Sequence, residues 1–206
     1  MKAACSRRRS RALAPSPTRR VSPRALTILV VVALCWYGID QLTKYLVVTH
    51  LPYERTVPVF GTLLQFFYIK NSGAAFSIGA GSTWIFSIIG VAVLCFIAWY
   101  APRIRSVAWA ILFGLLLGGL VGNLSDRLFR EPGFGVGHVV DFIKIPLLPA
   151  YFNIADVGIT SSMVLFLILT LLGVGLDGRR AHADRGEAPQ ADPPHDADAS
   201  RDPGAR

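Results

Sequence analysis

Charged residues are scarce in this chain, at 17% of its 206 residues, where a soluble domain carries about 25%. That deficit excludes an ordinary water-facing surface. Acid is missing altogether from residues 1–24, which hold Lys2, Arg7, Arg8, Arg9, Arg11, Arg19, Arg20 and Arg24. Cysteine is sparse as well. Cys5, Cys35 and Cys95 have no paired spacing, which excludes a disulfide framework and gives no support to a metal site. No apolar stretch precedes Cys5, so it is not a cysteine poised for lipid attachment after export.

What the chain has instead is apolar surface: 52% of its residues are hydrophobic and its mean hydropathy is +0.47. The apolar residues are grouped into four blocks, at about 25–48, 82–100, 107–124 and 157–176. About 20 apolar residues cross the hydrocarbon core as a helix. Lipid offers no partners to an open backbone, so each block is predicted to be a spanning helix. A cleaved signal peptide at the N-terminus is disfavoured, because the first block is too long and contains Asp40 and Lys44.

The net charge of +8 is distributed as a membrane protein distributes it, and nucleic acid is not the expected partner. The arm at 1–24, Arg103 and Arg105 in the loop at 101–106, and Arg179, Arg180 and Arg185 after the last block all fall on one side. Only Arg55, Lys70, Arg127, Arg130 and Lys144 fall on the other. Basic residues next to spans stay in the cytoplasm, so both termini are predicted there, with loops 49–81 and 125–156 outside. Three regions follow: a basic, disordered arm at 1–24, a four-helix membrane domain at 25–176, and a disordered tail at 177–206 rich in Ala, Asp, Pro and Arg.

Within loop 49–81, residues 56–60 and 63–69 are β-branched and aromatic and are separated by Gly61. They are predicted to form short strands of a small sheet lying on the membrane surface. The fold class is therefore an all-α membrane protein of four transmembrane helices with a small extracytoplasmic β-sheet.

Polar residues near membrane-embedded sequence need partners or a task, since a charge at the bilayer centre costs about 2.5 to 3.5 kcal/mol on insertion scales. Asp40 and Lys44 stand four apart, acid first, the favourable order for a helical ion pair. Two readings fit them: a self-neutralised pair emerging into the headgroups, or a wall of a functional site. The small residues of the string Asn71-Ser72-Gly73-Ala74-Ala75-Phe76-Ser77 suit either a turn or close approach to a ligand. Gly114, Gly118 and Gly122 form a ridge for close helix packing, which continues to Asp126. Asn123, Asp126 and Arg127 share that helix end, where Asp126 and Arg127 are predicted to pair as a structural cap.

Asp141 is flanked by Val139, Val140, Phe142 and Ile143, and only Lys144 is a basic neighbour. Such surroundings favour a protonated carboxyl, although a solvated turn would also accept an Asp. Asn153 and Asp156 open the last helix. An Asn cap with an acid three residues later is sufficient explanation for the pair. Yet Asn153, Asp156 and Thr160 also make one polar stripe on an apolar helix, and such a stripe faces protein rather than lipid.

The ordered strings Asp40-Gln41-x-Thr43-Lys44, Asn71-x-Gly73-Ala74-Ala75-Phe76, Gly122-Asn123-x-x-Asp126-Arg127, Val139-x-Asp141-Phe142 and Phe152-Asn153-x-Ala155-Asp156 closely resemble the lipoprotein signal peptidase family, signal peptidase II. The resemblance covers about 25–176 and leaves the arm and tail outside as additions. It implies a bacterial inner-membrane aspartyl endopeptidase that removes the signal peptide from a prolipoprotein, just before a lipobox cysteine carrying diacylglycerol. It implies Asp141 and Asp156 as the catalytic dyad. Asp40, Lys44, Asn71, Gly73, Asn123, Asp126, Arg127 and Asn153 would bind substrate or shape the site. No cofactor or metal is implied; the partners are the prolipoprotein, membrane lipid and, as an inhibitor, globomycin.

Rival classes are weaker. Ser72, two residues after Lys70, lacks a nucleophile elbow. A transporter or proton channel would place a polar ladder across the spans, whereas these polar residues gather at one face. The Gly-x-Gly-Asp string of presenilin-like proteases is missing, since Leu176 precedes Asp177.

Overall fold

The computed structural model describes residues 22–73 and 83–179. Residues 74–82 of the outer loop, most of the basic arm and nearly all of the tail lie outside the described residues, and with them the Ala74-Ala75-Phe76 part of the second string. The elements run α1 (Pro23–His50), β1 (Thr56–Phe60), β2 (Leu64–Asn71), α2 (Thr83–Tyr100), a 3-10 turn at Ala101–Arg103, α3 (Val107–Phe129), β3 (Val139–Lys144), β4 (Tyr151–Phe152) and α4 (Ile154–Leu171). Among the described residues, four helices are thus long and apolar enough to cross a bilayer. Val31, Leu34, Leu42, Trp84, Ile88, Phe166 and Leu171 lie exposed on their surfaces, the pattern of helices solvated by lipid.

Two helix boundaries depart from the sequence reading. Helix α3 runs to Phe129 instead of stopping at 124, because Asp126 and Arg127 are buried among polar partners and the helix need not end at its first charges. Helix α4 occupies Ile154–Leu171 instead of 157–176. Its start, ahead of the apolar block, is the one expected from the Asn153 cap, here a reciprocal capping box with Asp156. Gly173, at a φ of 63°, ends it: Gly173 N–H donates to Thr170 and Val174 N–H to Leu169, the paired bonds that satisfy the last carbonyls.

Helix α3 is central, packed against the other three. The glycine ridge allows this. A Cβ on Gly118 would lie 2.7 Å from the Ala33 carbonyl oxygen of α1, and one on Gly122 would lie 2.5 Å from Asp40 Oδ2. Gly119, outside the ridge read from the sequence, does the same for α4, where a Cβ would strike the Ala155 carbonyl. Backbones therefore approach at the depth where polar groups of α1, α3 and α4 must meet.

The sheet is larger than the hairpin read from the sequence. Its four strands are antiparallel in the order β1-β2-β3-β4, with Asp141 of β3 opposite Ile69 of β2. Asp141 therefore sits on a buried strand, not in a solvated turn. Beneath the sheet Val47, Tyr68, Val140 and Phe142 form a small core, joining the sheet to the end of α1. A second core, built around Ala25, Leu29, Ile104, Trp109, Leu112 and Leu169, closes the opposite end of the bundle.

Candidate functional site

Where the sheet meets the ends of α1, α3 and α4, a cavity of about 640 Å³ opens between α2, α3 and α4. Asn71, Gly73, Asn123, Arg127, Asp141 and Asp156 all line it, beside apolar Phe86, Leu120, Leu124 and Ile159. One wall is thus polar and the remainder suits aliphatic chains.

Each aspartate is held by amides. Asp141 Oδ1 accepts from Asn153 Nδ2 at 2.7 Å and its Oδ2 from Asn71 Nδ2 at 2.8 Å. Asp156 Oδ1 accepts from Asn123 Nδ2 at 2.8 Å and its Oδ2 from the Asn153 backbone N–H at 3.1 Å. Asn153 Nδ2 also donates to Asn123 Oδ1 at 3.1 Å. One fully buried asparagine therefore joins the two carboxylates, Asp141 through its side-chain amide and Asp156 through its backbone N–H, and caps the helix that carries the second of them.

Asn71 is itself oriented, because its Oδ1 accepts from Gly73 N–H at 2.9 Å. Gly73 returns its carbonyl oxygen to Arg127 Nη2. The Arg127 guanidinium lies 5.2 Å from the Phe86 ring, and its Nη1 is buried with no hydrogen bond among the described residues. That nitrogen belongs to a cavity-lining residue and has donor capacity to spare.

Behind the aspartates lies a charged cluster. Lys44 Nζ is fully buried, 2.9 Å from Asp40 Oδ2, 2.8 Å from Asp126 Oδ2 and 3.0 Å from Asn123 Oδ1. Asp40 Oδ1 accepts from Ala155 N–H at 2.8 Å, fastening α1 to the first turn of α4. The headgroup-emergence reading of the Asp40 and Lys44 pair is thus set aside: both side chains are enclosed. The expected Asp126 and Arg127 pair does not form. Asp126 binds Lys44 and Arg130, and its Oδ2 also takes the Val140 N–H at 3.2 Å, tying α3 to β3. Consecutive helical residues point about 100° apart, so Asp126 and Arg127 serve different surroundings.

The Asp141 carboxyl is pushed up to about 7, first by burial and then by the neighbouring Asp156 charge. The amide hydrogen bonds and Lys44 oppose this shift without cancelling it. A carboxyl of this kind carries a proton near neutral pH and donates a hydrogen bond to an oxygen brought close to it. Among the described residues no three His, Cys, Asp or Glu side chains gather as a metal site.

All the site residues expected from the sequence therefore converge, from α1, β2, α3, β3 and α4. Sequence reasoning missed three contributors. Gln41 Nε2 donates to Asp40 Oδ2 at 3.1 Å and to the Gly122 carbonyl at 3.2 Å. Arg130 completes the charge balance at Asp126. Trp36 Nε1 donates to the Ile154 carbonyl at 3.0 Å. Gln41 and Trp36 flank Asp40, and Trp36 shares its helix face at a spacing of four, the signal that could have marked it.

Comparison with known proteins gives consistent findings. The family model described as Signal peptidase (SPase) II matches residues 32–172. The lipoprotein signal peptidase of Leifsonia xyli subsp. xyli is 63% identical over 199 residues, covering 96% of this chain and 92% of its own. That match takes in most of the arm and tail, which are therefore not additions peculiar to this chain. The lipoprotein signal peptidase of Mycobacterium avium is 41% identical, covering 79% of this chain and 90% of its own. A solved bacterial membrane enzyme superposes with a TM-score of 0.66 at 26% identity, covering 75% of this chain and 92% of that one.

Proposed function

The chain belongs to the signal peptidase II family, and from that membership we propose that it is the multi-pass membrane aspartic endopeptidase that removes signal peptides from bacterial prolipoproteins. Its substrate carries diacylglycerol on the lipobox cysteine, and the bond cut is the one just before that cysteine. The observation that carries the reading is Asn153 joining Asp141 and Asp156 at the polar wall of an otherwise apolar cavity.

Two carboxyl groups that share one proton hydrolyse a peptide without a covalent intermediate. The ionised partner takes a proton from a water held between them, and the water oxygen attacks the scissile carbonyl carbon. The protonated partner donates to the carbonyl oxygen. Breakdown of the tetrahedral intermediate cleaves the C–N bond and delivers a proton to the departing cysteine amine.

Asp141, protonated near neutral pH, is assigned the acid. Asp156, in the first turn of α4 where the helix dipole favours an anion, is assigned the base. Arg127 Nη1 is available to a carbonyl of the bound peptide, and the apolar walls beside Phe86, Leu124 and Ile159 accept the signal helix or acyl chains. Both termini are assigned to the cytoplasm and the sheet and dyad to the outer face, on the placement of basic residues. Residues 25–176 form the peptidase unit in this reading.

Purified protein should cleave a diacylglyceryl-modified prolipoprotein in a gel-shift assay, leave the unmodified form uncut, and be blocked by globomycin. Equal cleavage of both forms would remove the lipid from the recognition, and no cleavage of either would remove the activity.

A further inference from the structure

We propose that Trp36 is a positioning residue for Asp156, an indole backstop that fixes the first turn of α4 so that the aspartate stays directed at the cavity. The inference rests on the dyad reading above. Trp36 sits where three helices meet. A Cβ on Gly118 of α3 would lie 2.9 Å from Trp36 Cβ. One on Gly158 of α4 would lie 2.7 Å from its Cδ1 and 2.8 Å from its Cε2. Gly118 thus lets the base of the Trp36 side chain approach α3, and Gly158 leaves the room its indole fills.

The contact with α4 brackets Asp156. The indole Nε1 donates to the carbonyl of Ile154, two residues before it, and the ring lies on Gly158, two residues after it. Ile154 and Gly158 are about one turn apart and share a face of the helix, whereas Asp156 projects about 200° around from Ile154. The indole therefore presses on one side of α4 while Asp156 bonds Asn123 on the other.

Asp40 already holds this turn through the Ala155 N–H. Asn153 and Asp156 add bonds to Asp141 and Asn123 on the cavity side, and none of these is a packing contact on the face of α4 opposite Asp156. Trp36, four residues earlier on α1, supplies a further point on the adjoining carbonyl and a packed surface beyond it. Rotation of α4 by even a fraction of a turn would break the 2.8 Å bond from Asn123 to Asp156.

The test is steady-state cleavage with thermal midpoints measured in the same detergent. Trp36→Phe keeps a ring and lacks the N–H. It is expected to lower kcat about 3- to 10-fold, the scale of one lost hydrogen bond, with KM and thermal midpoint near those of the wild type. Gly158→Ala drives a methyl into the indole and should lower kcat at least about tenfold. Trp36→Leu should lower kcat too, and Trp36→Leu combined with Gly158→Ala should fall no further than Trp36→Leu alone, since the methyl enters vacated space. Wild-type kcat in Trp36→Phe, a loss of activity that only tracks thermal midpoint, or additive effects in the double variant would each overturn the proposal. Asp156→Asn in the same assay separates the two readings. If it is inactive while Trp36→Phe is unaffected, only the backstop fails; if it cleaves normally, the dyad reading fails.

Discussion

Asn153 and Asp141 are joined by a buried 2.7 Å hydrogen bond from the asparagine amide to the carboxyl, and the same asparagine caps the helix that presents Asp156. Capping of α4 and placement of the two carboxyls are therefore one arrangement. The cap orients Asn153 Oδ1 towards the Asp156 N–H, which leaves Nδ2 directed at Asp141 and Asn123.

Replacing Asn153 tests both roles together. Asn153→Ala should lower stability by about 1 kcal/mol as a lost cap. Turnover should fall far more, by about 100-fold or greater, because the Asp141 carboxyl loses its Nδ2 donor and the turn that carries Asp156 loses its cap. Asn153→Ser restores an N-cap acceptor without a donor long enough for Asp141, so it should recover the thermal midpoint and not the rate. Thermal midpoints and kcat measured on the same preparations check this.

The pH profile follows from Asp141. Its carboxyl is pushed up to about 7, against an ordinary value of 3.8, so as the acid proposed for the dyad it is competent below about 7. Turnover should decline as pH rises through that value. The linkage has the same sign: between 3.8 and about 7 the folded chain holds a proton that the unfolded chain has released. That share of stability is complete below 3.8 and lost as pH rises through about 7. Asn71 favours the ionised form by donating to Asp141, so Asn71→Ala should move the alkaline decline of kcat to higher pH. An unmoved limb would exclude Asp141 as its source.

Lys44 neutralises two buried acids. Lys44→Met leaves Asp40 and Asp126 enclosed with one fewer cation, and removing one partner of a buried ion pair costs about 3 to 5 kcal/mol. We expect a sharply lower thermal midpoint and poor accumulation in the membrane. A wild-type midpoint would show that the cluster does not hold the bundle.

Close packing of α3 on α4 makes a fourth test. A Cβ on Gly119 would strike the Ala155 carbonyl and the Ile159 side chain, so Gly119→Val should force the helices apart at a cost of about 1 to 3 kcal/mol. Ala155 directly precedes Asp156, so activity should fall beyond what the stability loss explains. Thermal midpoint and kcat on one sample decide it.

Much of this was legible in the sequence, for reasons that differ by element. The spans were visible because hydropathy blocks of bilayer length admit few other structures. The end of α3 was not, because it depends on how Asp126 and Arg127 are partnered by residues distant in the chain, whereas the start of α4 was marked by the local cap of Asn153. Strand β3 was hidden for another reason: Val139–Lys144 is a short apolar run, which periodicity cannot separate from a helix end. Its pairing with β2 joins residues about 70 positions apart, and only the fold supplies that. The site residues were recognisable as ordered strings, yet their partners were not. Asp126 looked paired with adjacent Arg127, and three-dimensional packing gave it Lys44 and Arg130 instead.

The most direct test of the central claim is cleavage of a diacylglyceryl-modified prolipoprotein by Asp141→Asn and Asp156→Asn, each shown to keep the wild-type thermal midpoint. If the two carboxyls share the chemistry, both variants lose turnover by at least about a thousandfold. Near-wild-type cleavage by either one would contradict the dyad and place the reaction elsewhere in the cavity.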